Sequence, residues 1–589
     1  MATQDMITEL ESGVTLDPLL ERRVCESVLN QLDDTNADVQ SVAIKCIGVL
    51  TKVVQEGQIC EIVEGLAHHL LSNKTENLTD IYSIGLSCVV KGVPPQMGAL
   101  LAKRLAPRLL DGISADRSET QEIRSECLEV LKQLLTRFGA ECQEFHENTM
   151  GTLLTQIGND KSVVQKRATA ALGVLAPHLV DHLLTRLATT LLQRIESPSS
   201  SSSSSSSNAG GADQVRVYIQ AIGRISRTVG HRLGHSIDRI IPLFLKFLGD
   251  PTDEDEALQS EQTCELRETI LHAFESFAER CPHQIAAHMD EMLGTVIGFM
   301  AYDPNYTYDD MDEDEDMGGG SDSEEEEEEE DYEDYDDDDY GDEDDNTWKV
   351  RRASIKVIQA CFHSRPELLQ QLYTQCTDSV VGRLKEREES VKTAVILCLD
   401  ELMIVTTQQN QMAATDLLKE RTGVLINSVA KLLKDKKISV KIKTLLFTLL
   451  IHFILAIQGN SSSGSGSGIG NYLEPLVPVL SNCLRDRNGG MKLQVLTFLQ
   501  TLIETHRPET IRPYVAALLP AVIACAREDW YKIIAQSLRV VGGFVDVLRP
   551  LRRDAGGRNM LADYNGDVDE LLGKMFDVSR KKKQVLFAK

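Results

Sequence analysis

One helix face recurs through this chain at a near-constant interval, and that recurrence limits what the chain can fold into. The stretch DVQSVAIKCIGVL (38–50) places apolar or small residues four, seven and eleven positions after Val39, which is one side of a helix. SVVQKRATAALGVL (162–175), KVRRASIKVIQACF (349–362) and SVKTAVILCLDELM (390–403) keep the same spacing. With the first residue of the face as a marker, the face begins at Val39, Ile81, Ile123, Val164, Val215, Leu266, Val350, Val391, Val440, Met491 and Tyr531. The steps between markers are 42, 42, 41, 51, 51, 84, 41, 49, 51 and 40 residues. The seventh residue after each marker is Cys46, Cys88, Val130, Ala171, Ile222, Ala273, Val357, Cys398, Phe447, Phe498 and Leu538, always apolar or small. Three cysteines share this position, which reads as small core fillers rather than reactive thiols. The residue after the marker is basic in eight of the eleven cases: Arg124, Arg216, Arg267, Arg351, Lys392, Lys441, Lys492 and Lys532.

A second amphipathic stretch precedes most markers. PHLVDHLLTRLATTLLQRI comes before Val215 and DRIIPLFLKFL before Leu266. Two antiparallel helices per ~40 residues is the HEAT-type pattern. The expected fold is therefore all-α: a HEAT-repeat superhelical solenoid in which each helix pair packs only on its neighbours. Aromatic content of 5% fits cores of Leu, Val and Ala better than a β-sandwich does.

The long steps have local causes. A serine-rich loop at 197–213 fills the step to Val215, and GNSSSGSGSGIGN (459–471) fills the step to Met491. Both have the composition of flexible tethers between helices. The 84-residue step contains one helix, HQIAAHMDEMLGTVIGFMAY, and then an acidic insert. Between Asp309 and Asp345 there are 26 Asp and Glu and no Lys or Arg. The chain is expected to divide into N-terminal repeats over 1–300, an acidic disordered loop over 301–346, and further repeats over 347–589 that end in a half repeat. TWKVRR restarts the interrupted pair, with Asn346 or Thr347 as its helix cap. The first helix reads as the second member of a pair and the last, VDELLGKMFDVSRKKK, lacks a partner, as expected for part of a longer or two-chain solenoid.

Charge and motifs exclude several functions. The formal net charge is −29, but without the insert 64 acidic residues face 61 basic ones, so the acidity is one local feature. No basic stripe suited to nucleic acid stands out. No signal peptide and no run of eighteen apolar residues is visible, so no membrane association is expected. Thirteen scattered cysteines without a CxxC pair suggest a reducing cytoplasmic or nuclear compartment. P-loop, GxGxxG, HExxH and GxSxG signatures are absent, and DYNGDVDE (563–570) has its glycine misplaced for a calcium loop. Neither catalysis nor a cofactor nor a metal is expected.

Several segments are more specific than the repeat itself. YDPNYTYDDMDEDED, TWKVRRASIK, RLKEREESVK, GHRLGHSIDRIIPLFLKF, AFESFAERCP and TDIYSIGLSCVVKGVPP, in that family's order along the chain, resemble the N-terminal half of the cullin-associated and neddylation-dissociated (Cand) family. The resemblance implies a HEAT solenoid that binds the C-terminal region of an unneddylated cullin with its RING-box subunit. It also implies a part in substrate-receptor exchange on SCF-type cullin–RING ubiquitin ligases. The chain stops near the middle of that family's length, so a separate C-terminal Cand chain is a further expected partner. Within these motifs the candidate partner-binding residues are Tyr302, Asn305, Tyr306, Trp348, Arg351, Arg352, Arg383, Lys385 and Arg387. The alternative reading is a HEAT-repeat nuclear-transport receptor, or another protein-binding scaffold, using its acidic loop for basic cargo.

The two tethers lie between helix faces, so shortening the middle of either one should leave the thermal unfolding midpoint unchanged. A drop of several degrees would mean that the removed residues are packed.

Overall fold

The structure is a computed structural model that describes residues 2–12, 16–72, 76–114, 121–197, 209–252, 261–303, 346–435, 437–458, 469–548, 552–553 and 559–560. They form two compact units, one of Met1–Gly249 with His272–Met289 and the other of Asp250–Leu271 with Asp290–Lys589.

The first unit is built from helices α1 (Ala2–Glu11), α2 (Pro18–Asn30), α3 (Ala37–Leu50), α4 (Glu56–Ser72), α5 (Glu76–Gly92), α6 (Gly98–Ser114), α7 (Gln121–Phe138), α8 (His146–Ile157), α9 (Ser162–Leu175), α10 (Asp181–Glu196), α11 (Ala209–Val229) and α12 (Gly234–Leu248). Helix α13 (Glu261–Arg280) contributes to both units. The second unit continues with α14 (Met289–Met300), α15 (Thr347–Ser364), α16 (Leu369–Gly382), α17 (Glu389–Gln409), α18 (Met412–Lys434), α19 (Val440–Gln458), α20 (Val477–Cys483), α21 (Gly489–Thr505), α22 (Pro508–Cys525) and α23 (Tyr531–Leu548). The expected all-α class of paired helices is the observed one. The one addition among the described residues is a minimal antiparallel ladder, Arg552–Arg553 against Asn559–Met560.

Every marker lies in or at the start of one of these helices, and within each unit marker helices stack on one another in sequence order. In the first unit α3 packs on α5, α5 on α7, α7 on α9 and α9 on α11; in the second α15 packs on α17, α17 on α19, α19 on α21 and α21 on α23. The reason is the pattern itself: an isolated helix of this length is marginal, and its apolar face is satisfied only by the next copy. Local signals set several starts. Asp17 accepts from the backbone N–H groups of Leu19 (2.9 Å) and Leu20 (3.1 Å). Asn488 accepts from the Met491 N–H at 2.9 Å. Asn410, in the left-handed region at φ 50°, ends α17.

Nine of the eleven seventh-position residues are buried, Cys46 and Cys398 among them. Two helices are out of phase with the sequence reading. Along α5 and the residue after it, Tyr82, Leu86, Val89 and Val93 form a buried row one residue later than expected, and Cys88 is only half-buried. In α23 the buried set is Ile533, Ser537, Val540 and Phe544, while Tyr531 is 69% and Leu538 44% exposed. The face there begins at Ile533; Trp530 and Tyr531 mimic its start because aromatic residues count as apolar in the pattern.

The basic residue after the marker is structural in several repeats. Arg267, Arg351 and Lys492 are all buried. Arg267 lies over the rings of Phe299 (4.9 Å) and Tyr302 (4.8 Å), and Lys492 pairs with Glu528.

Two loop boundaries move. Helix α11 begins at Ala209, inside the stretch assigned to the serine loop. Ile469, assigned to the Gly/Ser tether, is buried and opens the short turn Ile469–Tyr472. Helix α19 is apolar enough to cross a membrane by length and composition, with mean hydropathy 2.0. Here it packs between α17 and α21, and the central copy of a stack needs apolar residues on most of its circumference.

Phe498 and Leu538 hold the same position in the sequence pattern but differ in burial. Phe498→Ala should cost about 3–5 kcal/mol, and Leu538→Ala about 0.5 kcal/mol, read from urea midpoints at unchanged slope. Equal losses would restore the original phase of α23.

Candidate functional site

The site with the densest chemistry lies where the acidic insert leaves and re-enters the second unit. Tyr302 and Asp303 follow α14, and Asn346 and Thr347 open α15. Arg351, one turn into α15, ties these ends together. Its Nη1 donates to the Tyr302 carbonyl (3.2 Å) and to Thr347 Oγ1 (2.8 Å). The same nitrogen lies 3.4 Å from Asp303 Oδ2. Its Nε and Nη2 donate to the two oxygens of Glu386, at 3.1 and 3.3 Å. The Arg351 and Glu386 side chains are fully buried and that of Asp303 is 1% exposed.

Residues 383–388 complete the arrangement. Arg383 pairs with Glu386, and Arg387 Nη2 donates to Asp303 Oδ1 at 3.3 Å. Glu386 Oε1 also accepts the Arg387 and Glu388 backbone N–H groups, at 2.9 and 3.4 Å. Burial by itself would raise the Glu386 carboxyl. The Arg351 and Arg383 guanidiniums, with the hydrogen bonds, outweigh that and hold it below the ordinary glutamate range. Buried charges persist when paired and hydrogen-bonded on every side, as these are. Phe299 packs 5.8 Å from Tyr302, closing the apolar side.

The candidate residues therefore separate by location. Tyr302 and Arg351 are buried, and both hold the residues that flank the insert. Arg383 and Arg387 also serve this network, with side chains 11% and 29% exposed. Lys385 is exposed. Trp348 and Arg352 are half-buried, with the Arg352 guanidinium 4.7 Å and the Lys349 ammonium 5.7 Å from the indole centre. Asn305 and Tyr306, the acidic tract and the 563–570 segment lie outside the described residues. Asn346 occupies the cap position of α15, but its side chain does not cap the helix and instead donates to Glu261 at 3.0 Å. Asp303 and Glu386 were missed in the sequence. The available signal was the basic residue after the marker, which calls for a counter-charge or an aromatic face where it is buried.

A second polar series crosses three stacked helices. His363 of α15 meets Glu401 of α17 at 2.8 Å, and Asp400 of α17 meets His452 of α19 at 2.7 Å. The hydrogen bond to Asp400 raises the His452 pKa above its ordinary value.

A family model described as CAND1-like, TPR repeats matches residues 467–584. The chain is 31% identical over 600 residues to Cullin-associated NEDD8-dissociated protein 1 of Drosophila melanogaster, covering 99% of this chain and 44% of that protein. It is 32% identical over 560 residues to the Arabidopsis thaliana protein of the same name, covering 93% and 43%. With Cullin-associated NEDD8-dissociated protein 2 of Mus musculus the identity is 32% over 570 residues, covering 94% and 43%. The chain is similar to the cullin-associated NEDD8-dissociated proteins over nearly its whole length. It spans less than half the length of these relatives. In Emericella nidulans two separate proteins match, named as N-terminal and C-terminal parts. Each is 26% identical, over 39% and 57% of this chain respectively. Among solved structures, importin beta superposes with a TM-score of 0.56 at 12% identity, covering 93% of this chain and 61% of that one. Kap121p gives 0.53 at 15% identity, covering 89% and 48%. At such identity the likeness shows the helical-repeat fold alone.

Glu386→Gln should destabilise the second unit by about 3 kcal/mol at neutral pH, because Arg351 is left under-compensated in the interior. A carboxyl held low in the folded state stabilises above its unfolded value of about 4.3, and that stabilisation is lost as pH falls through the folded value. The stability gap between wild type and variant should thus close under acid conditions. A gap that stays constant with pH in urea titrations would rule out the charged pairing.

Proposed function

We propose that this chain is a non-catalytic scaffold that binds an unneddylated cullin through the cullin's C-terminal region and RING-box subunit. On this reading it regulates assembly and receptor exchange of SCF-type cullin–RING ligases in a reducing cytoplasmic or nuclear compartment. The observation that carries the reading is similarity over 99% of the chain to a protein named for cullin association. Stacked helix pairs support it, since they present long surfaces suited to an extended partner. Because the chain corresponds to under half of its relatives, receptor exchange calls for further repeats, and a separate C-terminal chain is the proposed source. The paired Emericella nidulans proteins are consistent with such an arrangement.

In this scheme the acidic tract acts on encounter. Its 26 carboxylates are concentrated at one point of an otherwise near-neutral chain, so they attract a basic partner surface and are screened by salt. Copurification of the tagged chain followed by mass spectrometry should recover a cullin with its RING subunit. Recovery of a Ran-type GTPase and basic cargo instead would replace this reading with nuclear transport. Deleting residues 312–342 should slow association at low ionic strength and leave dissociation nearly unchanged, measured by stopped flow. An unaltered association rate would reduce the tract to a spacer.

A further inference from the structure

The root of the insert lies beside a surface of opposite sign. Lys349, Arg352 and Lys356 form a ridge on α15, Lys385 and Lys392 flank the start of α17, and Lys441 opens α19. None of these six cations is in an ion pair among the described residues. The three helix starts lie side by side. Arg351 of α15 meets Glu386 just before α17, and Glu389 at the start of α17 accepts from Ser439 just before α19. Helix N-termini carry partial positive charge and ordinarily attract Asp or Glu. Here α15 and α19 have no acidic residue in the first turn. Among the described residues Glu386 is paired with Arg351 and Arg383 and Glu388 lies 3.9 Å from Arg387, while Glu389, in the first turn of α17, accepts from Ser439 and keeps its charge. Among the described residues the six cations outnumber the free carboxylate of Glu389, so the edge carries net positive charge, with the Trp348 indole at one end.

We propose that this edge is a docking surface for an acidic, extended segment of a partner protein. Charge complementarity selects the partner's chemistry. Neighbouring stacked helices lie about 10 Å apart, so three of them offer roughly 20 Å of contact. An extended segment of about six residues spans that length. Trp348 gives an apolar contact for one aromatic side chain of the segment. A single-stranded nucleic acid fits less well, because its binding tracks rely on successive aromatic platforms and this edge has one indole. The proposed occupant is acidic, unlike the basic partner proposed for the acidic tract, and the docking stands apart from the cullin reading. A cullin-binding failure would leave this docking untouched.

The test uses the full chain and a fluorescent synthetic peptide of about twelve Asp and Glu residues with one central Phe, followed by anisotropy at low and physiological ionic strength. The wild type should bind, more weakly as salt rises. Arg352→Glu combined with Lys356→Glu should weaken binding about tenfold or more, and so should Lys385→Glu combined with Lys441→Glu, each with an unchanged circular dichroism spectrum and melting curve. Arg352→Lys should keep most of the affinity. Trp348→Ala should remove a part of the affinity that does not depend on salt. The proposal is overturned if the wild type does not bind at low salt, or if both charge reversals leave binding unchanged. It is also overturned if an oligo-dT strand binds more tightly than the peptide. Binding that occurs only after residues 312–342 are deleted would identify the chain's own insert as the occupant and overturn it as well.

Discussion

The fold depends on each marker helix burying its apolar face against the marker helix of the next repeat. No pair in this chain has a core of its own, so stability is distributed as nearest-neighbour contacts along each unit. That constraint explains the composition of α19. A helix with α17 on one flank and α21 on the other has little solvent-facing surface, and it becomes apolar enough to resemble a membrane span. It also explains where sequence can be added. The serine-rich, acidic and Gly/Ser stretches all fall between helices, where added length costs little loop-closure entropy.

Loop-closure entropy accounts for the tolerance of a long insert but not for how the stack continues across it. The Arg351 network supplies that. One guanidinium binds the backbone at Tyr302 and the side chains of Asp303, Thr347 and Glu386, and so joins the residues before the insert, those after it and the turn before α17. Such a network is weak evidence for net stability, because desolvation offsets most of the attraction. Its value lies in fixing register: an arginine buried with two carboxylates accepts one arrangement of the three segments. The helices on either side can then stack as if the insert were absent.

Two features of opposite charge fall within a short stretch of sequence. The acidic tract is legible from composition alone, whereas the basic edge on α15, α17 and α19 is visible only once the helix starts are known to be adjacent.

The sequence by itself determined the helical class, the pair-per-repeat period, the inserts and the burial of most face positions. Those properties follow from spacing along one helix, which is local and periodic. It missed the phase of α23 by two residues, because the aromatic Tyr531 at the helix start satisfies the same pattern as a core residue, and that of α5 by one, because Ile81 offers the same spacing beside the buried Tyr82. It also treated Tyr302 and Arg351 as partner contacts, since aromatic and basic residues flanking an acidic tract look like a surface. Only the tertiary structure showed both side chains buried and Arg351 paired: Glu386 lies 35 residues away, and nothing in the spacing announces that pair. Whether a charge faces solvent or a buried counter-charge depends on which helices stack, and that is a property of the assembled repeats rather than of any one of them.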